Sequence, residues 1–159
     1  MEIHHLTTAD WRRRRAIRLR ALRDSPDAFG ATLAEELTVD DAGWQARLAR
    51  PDVATFVAHA DGEDIGLVTS APYGDHAGLF SMWVDPRHRG RGVGEALVRA
   101  AVSWAMQQGY ERMLLDVGDS NVAAVAFYTR LGFRPTGVTG SLPPPRDHHL
   151  EHQRELRLR

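Results

Sequence analysis

Three apolar runs that follow one another without an intervening helix restrict the folds open to this chain more than any other feature. The first two, VATFVAHA and DIGLVTSAP, are joined by the hydrophilic loop DGED, and AGLFSMWV follows after a short polar break. Apolar runs of this length, separated by turn residues, predict an antiparallel β-meander. A long segment with apolar residues at helical spacing, residues 92–108, comes next.

The remaining segments alternate between helix and strand. RMLLDV predicts a strand, residues 121–131 a helix and GFRPTG a short strand; EIHHL is a first strand, and residues 151–159 alternate well enough for a final edge strand. A helix over 11–23 and a helical region over 31–50 precede the meander. Meanders pair antiparallel, whereas strand–helix–strand units pair parallel. The sequence therefore predicts one α/β three-layer domain over residues 1–159, with a mixed central sheet and helices on both faces.

The composition argues against several classes of function. The formal net charge of −1 gives no electrostatic basis for general binding of nucleic acid or of an anionic membrane. The chain has no cysteine, which excludes disulfides, thiolate metal sites and cysteine nucleophiles. No segment has the apolar core of a signal peptide or the length of a membrane span, so we expect a cytoplasmic protein.

Two local clusters suggest other functions but do not fit them well. WRRRRAIRLR could be a nucleic-acid or membrane patch, yet in a chain of this net charge it is typical of the solvated face of an amphipathic helix. HHLEH lacks the H-E-x-x-H order and follows the proline-rich LPPPRD, so we expect no metal site there. A G-x-S-x-G hydrolase motif is absent.

The segment RHRGRGVGEAL, residues 87–97, joins the meander to the long helix. Its glycines leave the main chain accessible and its arginines add donors. Helix N-termini carry unpaired N–H groups and partial positive charge, so this is either a pyrophosphate site or a simple tight loop. A Walker loop is excluded because the chain has no lysine, and Glu95 stands where G-x-G-x-x-G requires its third glycine.

The loop does match the pattern Q/R-x-x-G-x-G/A, through Arg89, Gly92 and Gly94. MWVDPRHRGRGVGEAL resembles the strand–loop–helix block of the GNAT superfamily of acyl-CoA-dependent N-acetyltransferases, and LLDVGDSNVAAVAFYTRLGF is similar to its second block. Together the blocks span roughly residues 80–135; SPDAFG with the glutamates after it is a less specific likeness. The resemblance implies a GNAT-like fold, acetyl-CoA as the acetyl donor, and a primary amine of a small molecule or protein as the acceptor.

The resemblance also implies roles for individual residues. Tyr128 is the candidate general acid for the leaving thiolate, and Asp116 the candidate base for the amine, directly or through a water. Glu35 and Glu36 are rivals for binding or deprotonating the acceptor, and Phe29 is a further candidate for contacting it. The residues implied to contact acetyl-CoA are Met82, Trp83, Val84, Arg89, Gly90, Arg91, Gly92, Val93, Gly94, Asn121 and Tyr128. Asn121 is also the expected N-cap of its helix.

Two functional interpretations follow from this resemblance. The chain either catalyses direct acetyl transfer, without an acyl-enzyme, or is a non-catalytic domain of the same fold that binds or senses acyl-CoA. The presence of both Tyr128 and Asp116 favours the enzyme. The identity of the amine is left open, as is homodimerisation, which is common among the proteins that the chain resembles.

Overall fold

Seven strands form one mixed sheet through the middle of the molecule. The structure is a computed structural model that describes residues 1–159. The strands are β1 (Glu2–His5), β2 (Ala54–Ala60), β3 (Glu63–Tyr73), β4 (His76–Val84), β5 (Arg112–Gly118), β6 (Arg134–Ser141) and β7 (Leu150–Arg157). The helices are α1 (Trp11–Asp24), α2 (Leu33–Leu37), α3 (Asp41–Ala49), α4 (Val93–Gln107) and α5 (Val122–Arg130). Short 3₁₀ turns lie at Thr8–Asp10, Pro26–Ala28 and Pro86–His88.

The strand order is β1-β2-β3-β4-β5-β7-β6. The pairs from β1 to β4 are antiparallel, β4 and β5 are parallel, and β5, β7 and β6 are again antiparallel. The one parallel pair is the pair that α4 connects, because a crossover is needed to start the second strand at the same end as the first. The predicted mixed sheet, a meander followed by a strand–helix–strand unit, is confirmed.

Helices cover both faces of the sheet because successive strand residues point to opposite sides. Val68 packs in the larger core cluster with Leu97 of α4, whereas its neighbour Leu67 packs in the smaller cluster with Ile17 of α1. The sheet therefore separates an α4 face from an α1 face. None of the helices is long and apolar enough to span a membrane.

The C-terminal strand is not at the edge of the sheet, so that prediction is wrong. β7 pairs with β5 on one side and β6 on the other, which leaves β6 as the edge strand. β6 suits an edge better: nearly all of its residues are exposed, it contains Pro135, and its pairing is irregular between Pro135 and Thr139. Because β7 rather than β6 pairs with β5, polar side chains of β7 lie next to β5, in the middle of the molecule.

The helical region predicted over 31–50 is two helices rather than one. Thr32 caps α2 by accepting the Glu35 N–H at 3.2 Å, and Asp40 caps α3 by accepting the Gly43 N–H at 2.8 Å. A second capping residue inside the region starts a new helix, since its side chain bonds to main-chain donors that a continuous helix would use.

Candidate active site

β4 and β5 form a wedge that opens at one end of the sheet. They pair only through Ala77 with Met113 and Gly78 with Leu114, and beyond these pairs the strands separate. One side of β4 therefore has no neighbouring strand near Met82, and main-chain groups there are free to meet a ligand. This is the opening that the predicted backbone contacts of Met82, Trp83 and Val84 require.

A β-bulge in β4 lies at the mouth of this wedge. Phe80 pairs with Thr69 and Trp83 with Leu67, so two residues of β4 face one residue of β3. Within the bulge Ser81 has a φ of 57°, a left-handed conformation that is costly for a residue with a side chain. The strand after the bulge is turned relative to the strand before it. No sequence signal marked this bulge.

Arg18, on α1, holds the bulge in place. Its guanidinium donates one hydrogen bond to the Ser81 hydroxyl and another, at 3.1 Å, to the carboxylate of Glu36. Arg18 also lies over the ring of Phe29, 5.2 Å from its centroid. The arginine therefore ties α1 to α2 and to the strand that borders the wedge.

A cavity of about 640 Å³ occupies the wedge and is lined from both faces of the sheet. Tyr128 lines it from the α4 face, where it belongs to the larger core cluster. Asp116 lines it from the α1 face, because its neighbours Leu115 and Val117 both point into the core beneath α4. The other predicted site residues that line this cavity are Phe29, Met82 and Asn121.

The glycine loop presents a row of free main-chain donors where α4 begins. No N–H from Arg89 to Glu95 bonds to an acceptor in the protein, and the first bond of the helix runs from the Ala96 N–H to the Gly92 carbonyl. Gly90 and Gly92 have φ values of 76° and 82°, which glycine adopts without strain. Such donors at a helix N-terminus fit the two phosphates of a diphosphate.

Gly94 joins this loop to the wedge by close packing. A Cβ at this position would lie 2.9 Å from the Met82 Cε and 3.1 Å from the Phe127 ring. The absence of a side chain therefore lets the first turn of α4 pack directly against β4 and α5, beside the cavity.

The side chain of Arg89 is fixed within the protein. It donates to the Val84 carbonyl at 2.9 Å and to Asp24 at 2.8 Å, and Asp24 also accepts the indole N–H of Trp83 at 2.9 Å. The Trp83 hydrogen bond is the largest cause of a pKa of Asp24 below its usual value, and Arg89 lowers it further. Arg89 thus fastens the loop to β4 and α1, whereas Arg91 is exposed and makes no such bond.

The end of α5 fixes the position of Tyr128. The Phe133 N–H bonds to the Tyr128 carbonyl at 3.0 Å, and the Gly132 N–H bonds to the Thr129 carbonyl at 3.1 Å. With Gly132 at a φ of 98°, these two bonds form a Schellman motif. The dipeptide Gly-Phe after the helix therefore ends α5 and returns Phe133 against the tyrosine ring, at 5.6 Å between centroids.

Tyr128 has a buried ring and an unpartnered hydroxyl. The residue is 8% exposed, its ring packs edge to face against Phe127 and Phe133, and no protein group hydrogen-bonds its oxygen. Burial raises the pKa of Tyr128 well above its usual value. The hydroxyl is therefore protonated at neutral pH and available as a donor to a ligand in the cavity.

A chain of hydrogen bonds through three polar side chains supports Asp116, and only the first of these side chains contacts it directly. Tyr73 donates its hydroxyl to both carboxylate oxygens, at 3.0 and 3.2 Å, and Gln153 donates to the Tyr73 oxygen at 3.0 Å. Thr136 in turn donates to the side-chain carbonyl of Gln153 at 2.7 Å. Burial, together with the nearby Asp116 and Glu151, raises the pKa of Tyr73, so its proton is retained for this bond. The sequence did not identify Tyr73 or Gln153, which reach Asp116 from other strands.

Glu35 and Glu36 do not line the cavity, and their expected part in binding or deprotonating the acceptor stays a prediction. Glu36 is buried, and its two carboxylate oxygens accept hydrogen bonds from Arg18 and from Arg47 at 2.8 Å. Burial alone would raise the pKa of Glu36, but the two arginines outweigh it and hold the pKa below its usual value. Glu36 therefore fastens α2 to α1 and α3. Glu35 is exposed on α2.

Asn121 caps α5, as its place in the sequence predicted. Its side-chain oxygen accepts the Ala124 N–H at 3.2 Å. The HHLEH segment has dispersed contacts: His149 lies 3.8 Å from Asp27, His152 pairs with Asp119, and Glu151 lines the cavity. No group of three or more histidine, aspartate or glutamate side chains is arranged to hold a metal ion.

The family model for the acetyltransferase (GNAT) family matches residues 8–133. The chain belongs to this family. The matched range includes the wedge, the glycine loop, Asp116 and Tyr128, and it ends at the Schellman motif of α5. Membership supports acetyl transfer from acetyl-CoA as the general chemistry of this fold.

Known proteins agree with this membership. Human N-acetyltransferase 8 is 35% identical over 88 residues, which cover 52% of this chain and 39% of that protein, so the chain spans less than half of its length. The crystal structure of ribosomal-protein-alanine N-acetyltransferase from Brucella melitensis has a TM-score of 0.80 at 20% identity and covers 99% of both chains. PaiA N-acetyltransferase from Thermoplasma acidophilum, solved in complex with coenzyme A, has a TM-score of 0.76 at 17% identity, covering 98% of both chains. The two structures show a common fold.

Proposed function

We propose that this protein transfers the acetyl group of acetyl-CoA directly to a primary amine of a small molecule or of a protein N-terminus or side chain. The observation that carries the proposal is the cavity at the β4–β5 wedge, with the free hydroxyl of Tyr128 on one face of the sheet and the carboxylate of Asp116 on the other. A thiol leaving group and an attacking amine need an acid and a base on opposite sides of the reacting carbon.

The glycine loop fits the donor in this proposal. The unpaired N–H groups from Arg89 to Glu95 would bind its diphosphate, and Gly90 and Gly92 keep side chains out of the way. The free side of β4 near Met82 would lie along the pantetheine arm. Asn121, at the start of α5, would contact the pantetheine arm from the other side of the cavity. When bound, acetyl-CoA supplies the thioester whose C–S bond breaks as the new C–N bond forms.

Tyr128 and Asp116 would manage the protons. The attacking nitrogen must be neutral, and Asp116 would take a proton from the ammonium group, directly or through a water. Tyr128 would donate a hydrogen bond, and then its proton, to the sulfur as negative charge develops there. Its raised pKa keeps the hydroxyl protonated at neutral pH, so it remains available as a hydrogen-bond donor to the sulfur.

The substitution Tyr128→Phe tests the proposal because it removes only the hydroxyl. We expect kcat to fall about 10²-fold, the lower end of what general acids contribute, while the Kd of acetyl-CoA measured by calorimetry is retained. Tyr110→Phe is the matched control, since Tyr110 is partly buried outside the cavity. An unchanged single-turnover rate in Tyr128→Phe would remove its acid role. Binding of acetyl-CoA with no turnover of any amine would instead indicate a non-catalytic acyl-CoA sensor.

A further inference from the structure

A second carboxylate, Glu151, lines the same cavity. On β7 it lies opposite Gly118 of β5, while Asp116 lies opposite Gln153. Asp116 and Glu151 are thus diagonal neighbours on one face of the sheet, and the Cβ atoms of such neighbours are about 7 Å apart. Both carboxylates therefore face the α1 side of the cavity, across the sheet from the core that contains Tyr128.

Glu151 has no partner within the protein. It is half-buried, and it makes no hydrogen bond or ion pair. Burial and the charge of Asp116 both raise the pKa of Glu151 above its usual value. A carboxylate in this position is costly to keep ionised unless a cation joins it.

The positive side chains around the cavity are already engaged. Arg146, whose charge partly offsets these effects on Glu151, donates to the carbonyls of Pro26, Phe29 and Gly30 at 2.8 to 3.0 Å. Arg18 is bound to Glu36 and Ser81. At the rim, His149 is 3.8 Å from Asp27. Arg146 keeps its charge, since the carbonyls that it binds are neutral, but three carboxylates line the cavity, Asp27, Asp116 and Glu151, and Glu151 is the one without a hydrogen bond or ion pair.

An independent observation indicates that a ligand belongs here. Tyr128 is more than nine-tenths buried, yet its hydroxyl is unpartnered and faces the cavity that the two carboxylates share. The cavity thus has an unused donor at the α4 face and, at the α1 face, the unpartnered carboxylate of Glu151 beside Asp116, which accepts only from Tyr73. A molecule with one reacting end and a second cationic group matches this arrangement.

We propose that the acceptor is a diamine or a longer polyamine, with Glu151 as the residue that selects it. This inference rests on the proposed function. One amino group lies at Asp116 and attacks the thioester, while the second ammonium group binds Glu151 through a charge-assisted hydrogen bond. The spacing of the carboxylates favours an acceptor whose two nitrogen atoms are separated by a short aliphatic chain, whereas a monoamine leaves Glu151 unpaired.

The experiment compares putrescine with butylamine, which has the same carbon chain and one ammonium group fewer. For the wild-type protein we expect kcat/KM to be at least about tenfold higher for putrescine, as one hydrogen bond to a charged group can supply. In Glu151→Gln this ratio should fall toward one. Asp147→Asn is the control, because Asp147 is an exposed acid in the loop before β7 and outside the cavity, and its ratio should equal that of the wild type.

A second variant tests the geometry. Glu151→Asp retains the charge on a side chain that is one methylene shorter, so preference should shift from putrescine toward the longer cadaverine. Equal kcat/KM for putrescine and butylamine in the wild type, or an unchanged ratio in a folded Glu151→Gln variant, would overturn the inference while the proposed function stands. Absence of turnover with every amine, in protein that binds acetyl-CoA, would overturn the proposed function and the inference together.

Discussion

At the scale of single residues, Asp116 owes its position to partners far away in the chain. Tyr73 lies on β3 and Gln153 on β7. The Tyr73 hydroxyl donates to the Asp116 carboxylate, and the Gln153 amide donates to the Tyr73 oxygen. Each donor in this series is itself held by the next residue, which limits the rotation of the Asp116 side chain. In the proposed reaction, this fixed orientation of the Asp116 carboxylate would restrict the direction from which the acceptor amine can approach it.

This arrangement predicts coupled kinetic effects. Asp116→Asn should lower kcat/KM for the amine about 10²-fold if the proposed function holds, because the proposed proton acceptor is lost. Tyr73→Phe should lower it less, since the carboxylate remains but is no longer held. Steady-state kinetics on both variants and on the double variant complete the cycle, and the combined loss should be smaller than the sum of the two. Strict additivity would show that Tyr73 does not act through Asp116, and wild-type activity of Asp116→Asn would assign deprotonation to Glu151 or to water.

At the scale of elements, the turn between β4 and α4 depends on Asp85. Its carboxylate accepts the main-chain N–H of Arg87 at 2.9 Å, the Arg87 guanidinium at 3.1 Å, and Arg20 of α1 at 2.6 Å. Asp85 is buried, and the 3₁₀ turn Pro86–His88 joins it to Arg89, where the free N–H groups begin. Asp85 therefore fixes the main chain that leads into the glycine loop.

The electrostatics of this turn predict a pH dependence of stability. Hydrogen bonds from Arg87, with a further contribution from Arg20, outweigh burial and hold the pKa of Asp85 far below its ordinary value of 3.8. The stabilisation is therefore complete above pH 3.8 and lost as the pH falls through the lower pKa of the folded state. The Asp85→Asn variant lacks this stabilisation at all pH values.

Thermal unfolding of the wild type and of Asp85→Asn at neutral pH and in strong acid measures this effect. The difference in Tm should be largest at neutral pH and should narrow in strong acid. Asp61→Asn serves as a control, since Asp61 is exposed in the turn between β2 and β3. A difference in Tm that is constant across the pH range would contradict the assignment.

At the scale of the whole molecule, the sheet separates two hydrophobic clusters that must form together. Leu97 is fully buried on the α4 face, and Ile17 is 1% exposed on the α1 face. We propose that residues 1–159 unfold as one domain, because the central strands contribute alternate residues to both clusters.

Substitutions on each face test this cooperativity. Leu97→Ala and Ile17→Ala should each lower the free energy of unfolding by about 2–5 kcal/mol, as cavities in well-packed cores do. The losses should add in the double variant, since the two side chains belong to separate clusters. Urea unfolding followed by fluorescence and by circular dichroism should give one coincident transition. Two resolved transitions would show two independently folding parts.

The features that the sequence predicted well are encoded within short segments. The glycine loop and α4 adjoin each other, and Asn121, Tyr128 and Gly132-Phe133 form one helix with its own cap and stop. Such signals combine local backbone preference with apolar spacing, so they do not depend on which strands become neighbours.

The features that were missed depend on neighbours distant in sequence. Alternation in β7 fits an edge or an interior strand, and only its pairing with β5 places Gln153 and Glu151 beside Asp116. Glu36 is polar on a short helix, and nothing local indicates that Arg18 and Arg47 bind it. The loop-and-helix half of the candidate site was therefore predictable, whereas the half proposed to bind the acceptor required the strand order.

The separation of β4 and β5 has a consequence for inhibitor chemistry. In the proposed reaction the two substrates approach one another through the plane of the sheet, each from its own side, and neither blocks the other's entrance. A single compound in which the donor is covalently joined to an acceptor would pass through the β4–β5 wedge and occupy the proposed donor and acceptor sites at once. Its affinity would combine both sets of contacts, because attachment of one half raises the effective concentration of the other.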